Sequence, residues 1–143
     1  MKDYASVTIL VVEDDEVDAM AIQRAFKKCR LSNTIHRVKD GVEALGALRG
    51  TNKEVPMSRP FIVLLDLNMP RMNGLEFLAE VRADPKLHDI TIFVLTTSKA
   101  DEDRAAAFSN NVAGYIVKSD VGQGFMEAIE MLTMYWRVVE LPT

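Results

Sequence analysis

Phe61-Ile62-Val63-Leu64-Leu65-Asp66-Leu67-Asn68-Met69-Pro70 is a continuous apolar run that ends in a carboxylate and then breaks at Asn and Pro. Apolar residues without polar alternation, Val and Ile among them, read as a strand buried on both faces, the kind found at the centre of a parallel sheet. Asp66 then stands at the carboxyl end of that strand, the edge of an open α/β sheet where ligands gather. Taken alone, an Asp before Asn-x-Pro reads first as a turn cap. Its neighbours in the chain reverse that reading.

Before it, Val7 to Val12 is a second buried-strand run, stopped by Glu13-Asp14-Asp15-Glu16. From Asp15 the pattern turns helical, with Ala19, Ile22, Phe26 and Cys29 on one face. Asp14 or Asp15 would serve as the helix N-cap, which accounts for one or two carboxylates but not for the whole cluster. Thr34 to Lys39 is a short strand candidate, followed by Asp40-Gly41 and a helix carrying Val42, Leu45 and Leu48 at helical spacing. Gly50 to Pro60 is the longest loop. After the Asp66 strand come a helix from about Asn73 to Ala83, with Leu75, Leu78 and Val81 inward, and a fourth strand from Ile90 to Leu95 before Thr96-Thr97-Ser98. A polar helix around Ala100 to Phe108, a short strand from Gly114 to Val117 ending at Lys118, and a last helix from about Gly122 to Val139 complete the chain. With right-handed crossovers this alternation gives a flavodoxin-like, doubly wound, five-stranded parallel α/β sheet with helices on both faces.

The length of 143 residues fits a single domain over 1–143 with no effector domain attached. A hydrophobic fraction of 48% and a charged fraction of 27% are globular composition, not that of a disordered chain. A formal net charge of -4 gives no reason to expect nucleic-acid or anionic-membrane binding. The single cysteine, Cys29, falls on a helix face that would bury it, reads as core rather than nucleophile, and suits a reducing, cytoplasmic compartment. His36 and His88 are isolated and show no metal-ligand pattern. The first apolar run is far too short for a membrane span.

The residues that follow the strands are Glu13 and Asp14, Asp66, Thr96 and Lys118. In a sheet of this order the first, third, fourth and fifth strands are neighbours, so three acids, a hydroxyl and an ammonium share one shallow pocket. Clustered carboxylates repel unless a cation sits among them, and an all-oxygen set suits Mg2+ better than zinc. The same parts suit phosphoryl transfer onto a carboxylate: a metal, a Lys and a Thr hold phosphoryl oxygens while an Asp oxygen attacks in line.

The pieces Val11-Val12-Glu13-Asp14-Asp15, Leu65-Asp66-Leu67-Asn68-Met69-Pro70-Arg71-Met72-Asn73-Gly74, Leu95-Thr96-Thr97-Ser98 and Gly114-Tyr115-Ile116-Val117-Lys118 resemble the response-regulator receiver domains of two-component signalling. The resemblance implies a phosphoacceptor, Asp66, loaded from the phosphohistidine of a sensor histidine kinase, without sustained enzymatic turnover. It implies Mg2+ ligation by Glu13, Asp14, Asp66 and the Asn68 backbone carbonyl, phosphoryl contacts from Thr96 and Lys118, and a switch pair of Thr96 and Tyr115. The Pro-containing loop before the third strand, Leu95 to Lys99, Tyr115 to Ser119 and the closing Tyr135 to Pro142 look like the single-domain regulators associated with bacterial phytochrome kinases. A phytochrome input would follow.

Two other classes compete. A phosphatase of the haloacid-dehalogenase type also uses a strand-end Asp with Mg2+, but that family carries a second Asp where this chain has Asn68. A degenerate receiver acting only as a binding module would lack acids that are present here. Receivers usually have Pro after the Lys; Ser119 stands there instead, and since a cis bond before a non-proline residue costs about 3 kcal/mol, a trans Lys118–Ser119 bond is expected. The last helix carries two apolar stripes. Phe125, Ile129, Leu132 and Trp136 suit the sheet, while Ala128, Met131, Tyr135 and Val138 lie roughly 110° away at about 100° per residue. Either neighbouring helices or the tail cover that second stripe, or it is the contact of a symmetric homodimer.

Overall fold

The computed structural model describes residues 7–29, 33–52, 57, 59, 61–67, 71–96, 110–117, 130, 131 and 134. In chain order these form β1 (Thr8–Val12), α1 (Glu16–Lys28), β2 (Ile35–Val38), α2 (Gly41–Arg49), β3 (Phe61–Asp66), α3 (Gly74–Ala83), β4 (Thr91–Thr96) and β5 (Gly114–Val117). The strands make one sheet in the order β2-β1-β3-β4-β5, with every pairing parallel. This is the flavodoxin-like arrangement that the alternation of strands and helices predicts.

β3 is hydrogen-bonded on both sides, to β1 and to β4, and every one of its residues is buried. Strand side chains alternate between faces, and the alternation divides the interior in two. Ile9, Val11, Ile62, Leu64, Phe93 and Leu95 pack with Ile22, Ala25 and Phe26 of α1. Leu10, Val12, Val63, Leu65, Ile92 and Val94 pack on the opposite face with Ala44 and Leu45 of α2 and Phe77, Leu78 and Val81 of α3. α1 thus covers one face while α2 and α3 cover the other. Burying Phe26 or Phe77 contributes about 1.5–3 kcal/mol of transfer free energy each, which is why both faces must be closed.

Three details depart from the periodicity. Val42 is 45% exposed, because Gly41, Ala44, Leu45 and Ala47 take the inward positions of α2. Phe77 is fully buried and Leu75 only half-buried, so the inner stripe of α3 is Phe77, Leu78 and Val81. Cys29 is half-buried at the C-cap of α1 rather than enclosed in the core. The expected polar helix around 100–108 and the Lys118–Ser119 bond lie outside the described residues, as do Ala128, Tyr135 and Val138 of the second stripe. Met131 of that stripe is helical and exposed, like Met134. Among the described residues no helix is long and apolar enough to cross a membrane.

Candidate functional site

Register explains why the acids meet. Val12 pairs with Leu65, so one further step along both strands sets Glu13 beside Asp66. Glu13 still follows the ladder, its backbone N–H donating to the Val38 carbonyl at 3.0 Å. By the two-residue period Glu13 continues the row of Ile9 and Val11, and Asp66 that of Ile62 and Leu64, so both fall on the α1 side of the sheet. Glu13 is 0% and Asp66 6% exposed, whereas Asp14 is exposed. Carboxylate oxygens of Glu13, Asp14 and Asp66 all lie within 4.8 Å of one another. Glu13 Oε2 is buried, and among the described residues no hydrogen-bond donor reaches it.

The N-cap of α1 is Asp15, whose side chain accepts from the Asp18 N–H at 3.1 Å. Capping is therefore done by Asp15, and Glu13 and Asp14 are left to the cluster. Three hard oxygen donors, two buried and one facing water, fit a hydrated divalent cation such as Mg2+ or Mn2+. Soft-metal chemistry has no ligand in this set.

The segment leaving Asp66 is held at several points. The Gly74 N–H donates to the Leu67 carbonyl at 2.9 Å. A Cβ on Gly74 would lie 2.6 Å from Leu67 Cα and 2.7 Å from the Asp66 carbonyl oxygen, so only glycine lets the start of α3 approach the end of β3 this closely. Asn73 caps α3, and with Glu76 it forms a reciprocal capping box. Arg71 has φ +60°, uncommon for a residue with a side chain. Its guanidinium meets Asp40 Oδ2 through Nε at 2.7 Å and Nη2 at 2.6 Å. Asp40 is buried, and its Oδ1 accepts the Glu43 N–H at 2.9 Å as the cap of α2. The Gly41 N–H reaches the Met72 carbonyl at 3.0 Å, where a Cβ would come within 2.9 Å of that oxygen. The loop after the candidate acceptor is thereby fastened to the start of α2.

Thr96 is the last residue of β4, one position beyond Leu95, the partner of Asp66. Tyr115 lies in β5 opposite Val94 and packs half-buried against the α2/α3 side of the core. Asn68 and Lys118 fall outside the described residues, as does the side chain of Thr96. Sequence patterns did not show Arg37. It lies on β2 and donates from Nε to the Glu13 carbonyl at 2.9 Å and from Nη2 to the Asp14 carbonyl at 3.1 Å. That contact spans 24 residues and has no local signature.

Elsewhere charges are used differently. The Arg49 side chain bonds to Asp84, and the Lys86 N–H with this guanidinium holds the Asp84 carboxyl below its ordinary range. Arg59 does the same for Asp89, and its guanidinium also lies over Phe61 at 5.6 Å. Burial lowers the Arg82 guanidinium, which donates to the carbonyls of His88, Ile90, Asn110 and Asn111. Burial and, secondarily, the Glu130 charge raise the Cys29 thiol, which disfavours the nucleophilic thiolate.

The family model described as response regulator receiver domain matches residues 9–130. The probable methanogenesis regulatory protein FilR2 of Methanothrix harundinacea is 37% identical over 128 residues, 90% of this chain and 82% of that protein. The response regulator Rcp1 of Synechocystis sp. is 32% identical over 135 residues, 94% of this chain and 92% of its own. The manganese(II)-bound structure of Rcp1 superposes with a TM-score of 0.82 over 96% of this chain and 99% of that one, at 31% identity. The phosphorylated cyanobacterial phytochrome response regulator RcpA superposes at 0.85 with 33% identity, covering 97% and 100%.

Proposed function

The chain belongs to the response-regulator receiver family, the phosphoacceptors of two-component signalling, and on that premise we propose that Asp66 is the acceptor and that Glu13, Asp14 and Asp66 hold Mg2+ beside it. The observation that carries this reading is the convergence of the three carboxylates at the end of the fully buried central strand. A bound divalent cation would offset the charge of the phosphoryl oxygens and of the clustered acids. Asp66 Oδ attacks the phosphorus of a phosphohistidine in line; an O–P bond forms, the N–P bond breaks, and its electron pair stays on the imidazole nitrogen. A carboxylate needs no base to act as the nucleophile. The pairing of β3 with β1 and β4 and the Gly74–Leu67 hydrogen bond hold the end of the strand, and Asp66 with it, in place for this displacement.

Thr96, at the end of β4, and Lys118, which follows β5 in the sequence, are assigned to the phosphoryl oxygens, and the Asn68 carbonyl would join the acids in holding the metal, as the family resemblance implies. Thr96 with Tyr115 forms the switch read by partners. The donor is a sensor histidine kinase, and the likeness to the phytochrome response regulator RcpA supports a phytochrome in that role. The second stripe of the last helix, Ala128, Met131, Tyr135 and Val138, is assigned to a symmetric homodimer; exposure of Met131 supports it. Incubation with acetyl phosphate and Mg2+ tests the acceptor. One phosphoryl group per chain is expected in the wild type, and none in Asp66→Asn or in the presence of EDTA. Undiminished labelling of Asp66→Asn refutes the assignment.

A further inference from the structure

We propose that Arg37 is a positioning residue for the divalent-cation site, fixing the backbone of Glu13 and Asp14 from the neighbouring edge strand. The inference rests on the reading of Glu13, Asp14 and Asp66 as the cation-binding acids.

β1 ends at Val12 and the cap of α1 is Asp15, so Glu13 and Asp14 occupy the gap between strand and helix. The carbonyls of both go to this one side chain, at 2.9 and 3.1 Å. Arg37 pairs with Val11, and by the two-residue period it shares the α1 side of β2 with Ile35. A long side chain leaving the sheet at that level reaches past Val12 to the two residues beyond it. Only the planar fork of a guanidinium presents two N–H groups in fixed relation to two successive carbonyls; a lysine ammonium on a flexible stem cannot hold both in register.

The charge of Arg37 and its geometry act on metal affinity with opposite signs. A cation beside three carboxylates competes with a divalent ion, so on charge alone its removal would tighten binding. The guanidinium is, however, committed to neutral carbonyls, and its bond to Asp14 is exposed, where water screens its field. Mg2+ by contrast demands near-octahedral donors at about 2.0–2.1 Å, whereas Ca2+ accepts looser and longer coordination. Displacement of the Glu13 and Asp14 backbone therefore costs Mg2+ more than Ca2+. Positioning outweighs charge.

Calorimetric titration of the full chain with MgCl2 and with CaCl2, on the wild type, Arg37→Lys and Arg37→Gln, tests this. Lys keeps the charge and loses the fork; Gln loses both. Both variants should bind Mg2+ about three- to tenfold more weakly and Ca2+ about twofold more weakly at most, with metal-free melting cooperative and lowered by only a few degrees. Phosphorylation by acetyl phosphate should need more Mg2+ but recover its maximal rate when the metal is saturating. Wild-type affinity in Arg37→Lys with tighter binding in Arg37→Gln would show a charge effect and overturn the proposal. Equal losses for both cations would show general loosening and also overturn it. If Arg37→Gln does not fold, Arg37→Lys decides alone. A wild type that binds neither Mg2+ nor Ca2+ would instead refute the reading of the acids themselves.

Discussion

The two ends of the sheet use charge in contrasting ways. At the amino-terminal end and the α3–β4 turn, acids and arginines are bonded to each other and to backbone: Arg49 with Asp84, Arg59 with Asp89, and Arg82 with carbonyls of four residues. At the carboxyl end Arg71 pairs with Asp40 as well, but there three further carboxylates converge on one another, and the nearby Arg37 bonds to the backbone carbonyls of two of those residues. An arrangement that places like charges together in a buried setting lowers stability. The contrast teaches that the first end is built to hold the fold and the second to receive a cation.

Arg82 should give the largest effect. Arg82→Ala removes the donor to carbonyls on the α3–β4 turn and on residues 110 and 111, and should cost about 2–4 kcal/mol in denaturant unfolding. Asp66 in the folded fraction should still accept phosphate; loss of labelling beyond the loss of fold would break the contrast between the two ends. Gly74→Ala tests a residue that serves both purposes. Its Cβ would have to push against Leu67 Cα and the Asp66 carbonyl, so a cost of about 1–3 kcal/mol is expected together with slower phosphorylation. A stable variant with unchanged rate would show that the close approach is not required.

The smallest effect is the pH dependence at the structural end. Asp84 and Asp89 have carboxyl groups held below the ordinary range, so the unfolded chain takes up their protons first as pH falls. The stabilisation they give is present above the ordinary carboxylate value and is lost as pH drops through their lowered folded values. Both sites are near the surface, so the contribution is small and salt should weaken it. Asp84→Asn with Asp89→Asn should flatten that acid limb of a stability–pH curve; an unchanged limb would remove these pairs from the account.

Much of this was legible because its cause is local. The run at Phe61 to Asp66 is a strand because a strand covered on both faces must be apolar, and the strand-end residues follow from chain order and topology. The caps are local too: the sequence offers Asp14 or Asp15 for α1 and the structure selects Asp15, while Asn73, read as the start of the third helix, is its cap. Val42 misled because hydropathy ranks it above Gly41, Ala44 and Ala47, whereas close packing of α2 favours small residues: a Cβ at Gly41 would lie 2.7 Å from Met72 Cγ. The Arg71–Asp40 clamp and the Arg37 fork join residues 31 and 24 positions apart. No pattern in a single sequence pairs a given arginine with a carbonyl or a buried cap at that distance.

The most direct test of the claim that the carboxyl end is built for a cation is thermal unfolding of Asp66→Asn beside the wild type, with and without Mg2+. Replacing one of three clustered carboxylates by a neutral isostere relieves repulsion worth roughly 1–2 kcal/mol. The variant should therefore melt at the wild-type temperature or a few degrees above it in metal-free buffer. Mg2+ should raise the melting temperature of the wild type and have much less effect on the variant. A variant that melts well below the wild type without metal, and gains as much from Mg2+, would show that Asp66 stabilises the fold and does not bind the cation.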